Sequence, residues 1–164
     1  MKLRLLKHLS ITIGIVVGVL VVIVAVNYYF PSTPRTYQAS AKLPGSDSQI
    51  IVQLEPMHPY LAEYRRTLVL RKSGVPDQRV EMFSDTGGYS RTQLYRLANG
   101  LFLVHGFFDA VIIDPTKHSL VVMPEPQNIT GTYLGAFDKT KDIKWQFINA
   151  NQSPEQSLVA KSGS

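Results

Sequence analysis

The stretch LSITIGIVVGVLVVIVAV, residues 9–26, constrains this chain more than any other feature, because no charged side chain occurs from residue 9 through residue 34. Residues 11–30 as a helix would be ~30 Å long, about one hydrocarbon core. Valine and isoleucine favour strands in water. In lipid the backbone has no water to bond, so a helix that satisfies its own amides prevails over that propensity. The reading is a transmembrane helix over residues 9–30, with the lipid bilayer as its first partner. Tyr28 and Tyr29 then fall where aromatic rings favour the headgroup region.

The flanks orient that helix. Lys2, Arg4 and Lys7 lie in residues 1–8, which contain no acid, against only Arg35 and Lys42 on the other side. Basic flanks stay in the cytoplasm, which puts residues 1–8 inside and everything after residue 30 in the periplasm or outside the cell. A cleaved signal peptide is the alternative. Its apolar core usually spans ~7–15 residues with a small-residue site close behind. Here the only good A-x-A match, Ala39-Ser40-Ala41, lies well downstream, so an uncleaved signal-anchor is the better fit. Gly14 and Gly18 form a small-xxx-small pair that lets two helix backbones approach, the basis for a homodimer through this helix.

The formal charge of +5 is largely this topology signal, since without Lys2, Arg4 and Lys7 the chain carries 14 basic and 12 acidic groups. Balanced charge, with basic residues alternating with strand apolars, argues against nucleic acid. Arg65-Arg66 and Arg71-Lys72 bracket one strand and read as the solvated face and ends of an edge strand. With no cysteine, disulfides, cysteine-held zinc and thiol nucleophiles are excluded. A cysteine-free exported domain of this size fits a bacterial envelope better than a eukaryotic secretory route.

Residues 31–48, with Pro31, Pro34, Pro44 and Gly45, read as a linker, and residues 149–164, rich in Gln, Ser and Asn, as a flexible tail. Between them, residues 49–148 read as strand after strand. Turn signals occur at Gly74-Val75-Pro76-Asp77, Asp85-Thr86-Gly87-Gly88, Asn99-Gly100 and Asp114-Pro115-Thr116-Lys117. Asn99-Gly100 predicts a type I′ hairpin, and Asp114-Pro115 a type I turn. The fold expected is mainly β: a small antiparallel β-meander domain, barrel-like or a sandwich, behind the single transmembrane helix. The blade-like cadence of residues 94–122 does not make a propeller, which needs at least four blades of ~40–45 residues.

Few constellations carry chemistry. Asp85-Thr86-Gly87 resembles the active-site triplet of aspartic proteases, whose two carboxylates share one proton. A domain this small would supply the pair as a homodimer, with Tyr133-Leu134-Gly135 as the later hydrophobic-hydrophobic-Gly element. The pattern departs at Ser84, where an apolar residue is usual, and at Gly88, where Ala or Ser is. Asp-Thr-Gly-Gly is also good turn chemistry. His105, Asp109, Asp114 and His118 fall at opposite ends of neighbouring strands, so no metal site is assigned. No phosphate loop, dinucleotide fingerprint or Gly-x-Ser-x-Gly occurs, and no cofactor is expected. The aromatic residues mainly read as core: Trp145 and Phe147 share one strand face, and Tyr133, Gly135 and Phe137 another. Phe107 and Phe108 at a tight turn, with Trp145, are the candidate binding surface for an envelope protein or a glycan. The function expected is a non-enzymatic binding or scaffolding module anchored in the bacterial inner membrane. The alternative is a membrane-tethered homodimeric aspartic protease using Asp85.

Overall fold

The computed structural model describes residues 2–29, 36–58, 60–88, 90–124, 129–140 and 144–158, with helix side chains described from 13 to 26. The side chains of Lys2, Arg4, Lys7, Tyr28 and Tyr29, residues 31–35 of the expected linker, Tyr89, and residues 159–164 of the expected tail lie outside the described residues. The chain divides into two compact units, residues 1–34 and 35–164.

The first unit is helix α1, Lys2–Tyr29. Its valine-rich core is helical although valine and isoleucine favour strands in water. Among the described residues, no helix is long and apolar enough to cross a membrane. The observation is thus an apolar helix, and the span expected over residues 9–30 is not itself observed. Gly14 and Gly18 lie one turn apart, and a Cβ added to either would meet nothing within 4 Å.

The second unit is ten antiparallel strands in two sheets. Sheet one is a true meander of β1 (Tyr37–Lys42), β2 (Ser48–Pro56), β3 (Tyr64–Lys72) and β4 (Val75–Asp85). Sheet two contains β5 (Thr92–Leu97), β6 (Phe102–His105), β7 (Ala110–Asp114), β8 (Ser119–Met123), β9 (Gly131–Lys139) and β10 (Trp145–Asn149). Its order is β10-β9-β5-β6-β7-β8, so the meander breaks once: β9 returns to pair with β5 rather than β8. The sheets pack face to face, with β1 beside β10 and β4 beside β8. Alternate residues point inward, and Ile50, Val52, Leu54, Leu68 and Leu70 meet Leu94, Phe102, Val104, Val111, Ile113 and Phe137 in one core.

Several expected boundaries move. The linker contributes a strand, because Ala39 and Ala41 of β1 alternate into the core. The β3–β4 turn is Ser73-Gly74, with Gly74 at φ 75°, and Pro76 and Asp77 lie inside β4. Proline is tolerated there because β4 pairs only with β3 in its sheet. At Asn99-Gly100 only the glycine has positive φ, 80°. Leu97 donates its N–H to Leu101 and accepts from Gly100, which is a three-residue loop with glycine in the left-handed position, not a type I′ turn. Asp114 does cap its turn, with Oδ1 accepting from the Thr116 and Lys117 amides.

Tyr133 and Phe137 do not share a face. The β5–β9 register shifts between Leu94 and Tyr95, leaving Leu134 as an extra residue. This bulge turns Tyr133 to the outer face of sheet two and Phe137 into the core. Gly135, at φ 145°, sits in it with Phe147 and the Ile148 carbonyl too close for a side chain.

The segment read as a loose tail is seated, in its first part, on that outer face. Arg91, Gln93 and Tyr95 point outward together and bind it. Arg91 Nη2 donates to Ser153 Oγ (3.1 Å) and the Pro154 carbonyl (2.9 Å). Gln93 exchanges two bonds with the backbone of Gln156, of 2.9 and 2.8 Å. Tyr95 donates to Glu155 Oε1 at 3.0 Å, and Leu158 is 2% exposed. A polar composition concealed a strap that bonds through its backbone.

Burial, then the bond to Glu155, raises the Tyr95 phenol above its ordinary value of 10.0, and burial also raises Tyr133. A raised phenol binds its proton more tightly in the folded state. Its stabilisation is therefore whole below about pH 10 and declines as the unfolded chain ionises above it. Urea midpoints measured from pH 8 to 11 should fall above pH 10, and the Tyr95→Phe, Tyr133→Phe double variant should flatten that fall.

Candidate binding surface

Strand register collects several connections at one end of the sandwich, among them the β9–β10 turn, since Phe137 pairs with Thr92 and Lys139 with Trp145. Pro56 pairs with Tyr64 and Tyr64 with Asp85, so the β2–β3 loop and the β4–β5 turn lie together. Tyr37, where β1 begins, pairs with Leu54 at the same end. Across the core, His105 pairs with Ala110 and with Gln93, which adds the β6–β7 turn.

Arg66 joins the two sheets here. It occupies an inward position of β3, in phase with Tyr64, Leu68 and Leu70, and is 1% exposed. Its Nη2 donates to Thr92 Oγ1 at 2.7 Å, and its Nη1 lies 3.5 Å from Asp109 Oδ1. Burial lowers the guanidinium pKa, opposed by the nearby charges of Asp109 and then Asp85. An arginine stays charged even so, and this buried cation is balanced by carboxylates from two turns. The expectation that Arg65-Arg66 lies on the solvated face of an edge strand is therefore corrected: β3 is interior to its sheet and Arg66 points into the core.

The ion pair also fixes Phe83. Between Tyr64/Asp85 and Arg66/Met82 the register shifts, so Phe83 and Ser84 together oppose Arg65. Such a bulge takes backbone groups out of the ladder. Arg66 Nη1 donates to the Phe83 carbonyl at 3.3 Å, and the Phe83 N–H donates to Asp109 Oδ2. Both backbone groups of one residue are thus held by the two halves of one ion pair. The Phe83 ring is left 55% exposed, with its centroid 5.3 Å from that of Phe108.

Phe107 and Phe108 occupy the tip of a turn closed by the Gly106 N–H to the Asp109 carbonyl, 2.9 Å. Phe108 is exposed and Phe107 half-buried, their rings 6.3 Å apart. Gly106 is required by close approach: an added Cβ would lie 2.5 Å from Asp109 Oδ1 and 2.6 Å from Arg66 Nη2. The turn thus lies directly against the guanidinium. Trp145 does not belong to this surface. It is 7% exposed in the core and donates Nε1–H to the Val52 carbonyl at 3.3 Å. Phe83 takes its place.

Asp85 is 1% exposed, and its Oδ1 accepts from the Gly87 and Gly88 amides at 3.1 and 2.9 Å. Thr86 and Gly87 complete a carboxylate-capped turn. A carboxylate buried in its own protomer beside Arg66 is not presented for sharing a proton with a second copy, and Gly135 serves the β9 bulge. Asp114 and His118 lie at the far end, where His118 Nε2 is 2.9 Å from the Pro76 carbonyl. Among the described residues, no three His, Asp or Glu side chains gather to hold a metal ion. No family model, curated protein or solved structure matches the chain.

Asp109→Ala would take from the buried Arg66 the nearer of its two counter-charges and leave only Asp85, at a cost of up to about 3–5 kcal/mol. Arg66→Met and Asp109→Leu together should cost clearly less than the sum of the two single replacements. Urea unfolding of the four chains of this cycle measures the coupling. Gly106→Ala should lower the urea midpoint, because the added Cβ displaces the Asp109 carboxylate or the Arg66 guanidinium from the other.

Proposed function

We propose that the chain is a single-pass membrane protein whose β-sandwich is held on the far side of a bacterial inner membrane as a non-enzymatic binding or scaffolding module. The observation that carries this reading is on α1, where eleven large aliphatic side chains between Ile13 and Val26 are each at least half exposed. Burying one such side chain is worth ~1.5–3 kcal/mol, and a bilayer supplies that burial all round the helix. The acid-free basic start, Lys2, Arg4 and Lys7, favours retention of the N-terminus in the cytoplasm.

The binding element is the aromatic turn cluster of Phe83, Phe107 and Phe108. Exposed rings held on a rigid, charge-bridged base lose little conformational freedom on contact, which favours recognition. The helix leaves Gly14 and Gly18 open to a second copy, so the homodimer remains part of the proposal.

In a bacterial host, the full chain should stay in the membrane through alkaline carbonate extraction. Protease added to spheroplasts should digest the sandwich while sparing residues 1–8. Replacing Lys2, Arg4 and Lys7 by glutamate should lower the fraction with this orientation. Complete release by carbonate would refute the anchor. The Phe83→Ser, Phe108→Ser variant should retain its urea midpoint and lose contacts made through this end.

A further inference from the structure

The apolar surface of the sandwich is distributed unevenly. Outside α1, nine large hydrophobic side chains are exposed among the described residues, and six lie at the end just described: Tyr37, Met57, Tyr60, Leu61, Phe83 and Phe108. Tyr60 is the most open, at 76%. The opposite end, with the β1–β2 turn at Pro44-Gly45 and the turns at Ser73-Gly74, Asn99-Gly100 and Thr116-Lys117, has only Val75 as a large exposed hydrophobic among the described residues. An ordinary solvated loop between strands has no reason to carry Met, Tyr and Leu outward, and one end of a sandwich has no reason to differ this way from the other.

Two further observations select the occupant. The first is chain length. The apolar end is the one where β1 begins, and seven residues, 30–36, separate Tyr29 of α1 from Tyr37 of β1. Fully extended, they reach at most about 25 Å. The second is charge. Among the described residues, the acids of this end are mostly engaged: Glu55 with Arg65, Asp109 with Arg66, and Asp138 with Arg91, while Asp85 is buried. Glu63 is half-buried, and Lys139 and Lys144 at the β9–β10 turn are exposed. Lys139 lies 5.1 Å from the centroid of the Tyr64 ring. Exposed lysines beside tyrosine, methionine and leucine match an anionic lipid surface, where aromatic rings and aliphatic tips enter the headgroup layer and ammonium groups meet phosphate.

We propose that this end of the sandwich docks on the lipid surface itself, with Met57, Tyr60, Leu61, Phe83 and Phe108 in the headgroup layer and Lys139 and Lys144 at its edge. The inference rests on the reading of α1 as an anchor and names the partner of the aromatic surface. The tether keeps the sandwich near the bilayer, so weak interfacial contacts suffice because docking is intramolecular. A docked sandwich presents its far turns to the compartment beyond and holds its aromatic end away from soluble partners.

The absence of cysteine makes the test direct. Single cysteines placed at exposed positions of the full chain, Tyr60→Cys or Leu61→Cys at this end and Asn99→Cys or Lys117→Cys at the other, are labelled with an environment-sensitive fluorophore. The chain is reconstituted into phosphatidylcholine–phosphatidylglycerol vesicles with and without brominated lipid. Quenching should be severalfold stronger at 60 and 61 than at 99 and 117. A label at Lys144→Cys should lose its quenching when Met57, Tyr60 and Leu61 are replaced by serine. Equal quenching at both ends, in chain that resists carbonate extraction, would overturn the docking while leaving the anchor intact. Chain that carbonate releases would overturn both. Quenching at residue 144 that persists in the serine variant would show that the tether alone places it there, and would also overturn the docking.

Discussion

The buried pair of Arg66 and Asp109 is the constraint around which one end of the sandwich is arranged. A guanidinium inside a β-sandwich is tolerable only where acceptors and counter-charges gather round it, and here they gather at its two terminal nitrogens. Thr92 comes from one sheet, the Phe83 carbonyl from the other, and the carboxylates of Asp109 and Asp85 from two turns. Satisfying one side chain thus fixes the relative position of both sheets at this end. The apolar core, which is non-directional, would hold them together without specifying which turn lies over which.

The same pair shows how a buried polar group can shape a surface. The β4 bulge gives up ladder bonds at Phe83, and the ion pair takes them over. Without those substitutes, an exposed aromatic beside a broken ladder would be a mobile edge. With them, the ring is fixed where it stands. Gly106 completes the arrangement by letting the opposing turn approach the guanidinium more closely than any side chain would allow.

Periodicity made most strands visible in the sequence, because a core between two sheets demands alternation on each of them. It failed where alternation is broken on purpose. The bulge at Leu134 sends Tyr133 and Phe137 to opposite faces although their spacing says otherwise, and nothing in the local sequence announces it except the glycine beside it. Arg66 was legible in part. Its inward phase with Tyr64, Leu68 and Leu70 marks a charge that needs buried partners, but its neighbour Arg65 makes the pair look solvated. For Trp145 the sequence leaves core and surface both open, because residue type cannot tell a core ring from a groove ring. The strap beyond β10 was hidden for another reason: its bonds are made largely by backbone atoms and by short polar side chains, which composition associates with disorder.

The strand order has a consequence for how the protein is made. Sheet one is complete once Asp85 has been synthesised, since its four strands are neighbours in sequence. Sheet two is not: β5 waits for β9, β10 closes against β1, and the outer face stays bare until residues 153–158 arrive. Contacts between such distant parts of a chain form slowly. During translation, the first sheet's apolar inner face and the uncompensated Arg66 await partners that have yet to leave the ribosome. In that state a nascent chain stays open until the last of those residues has been made.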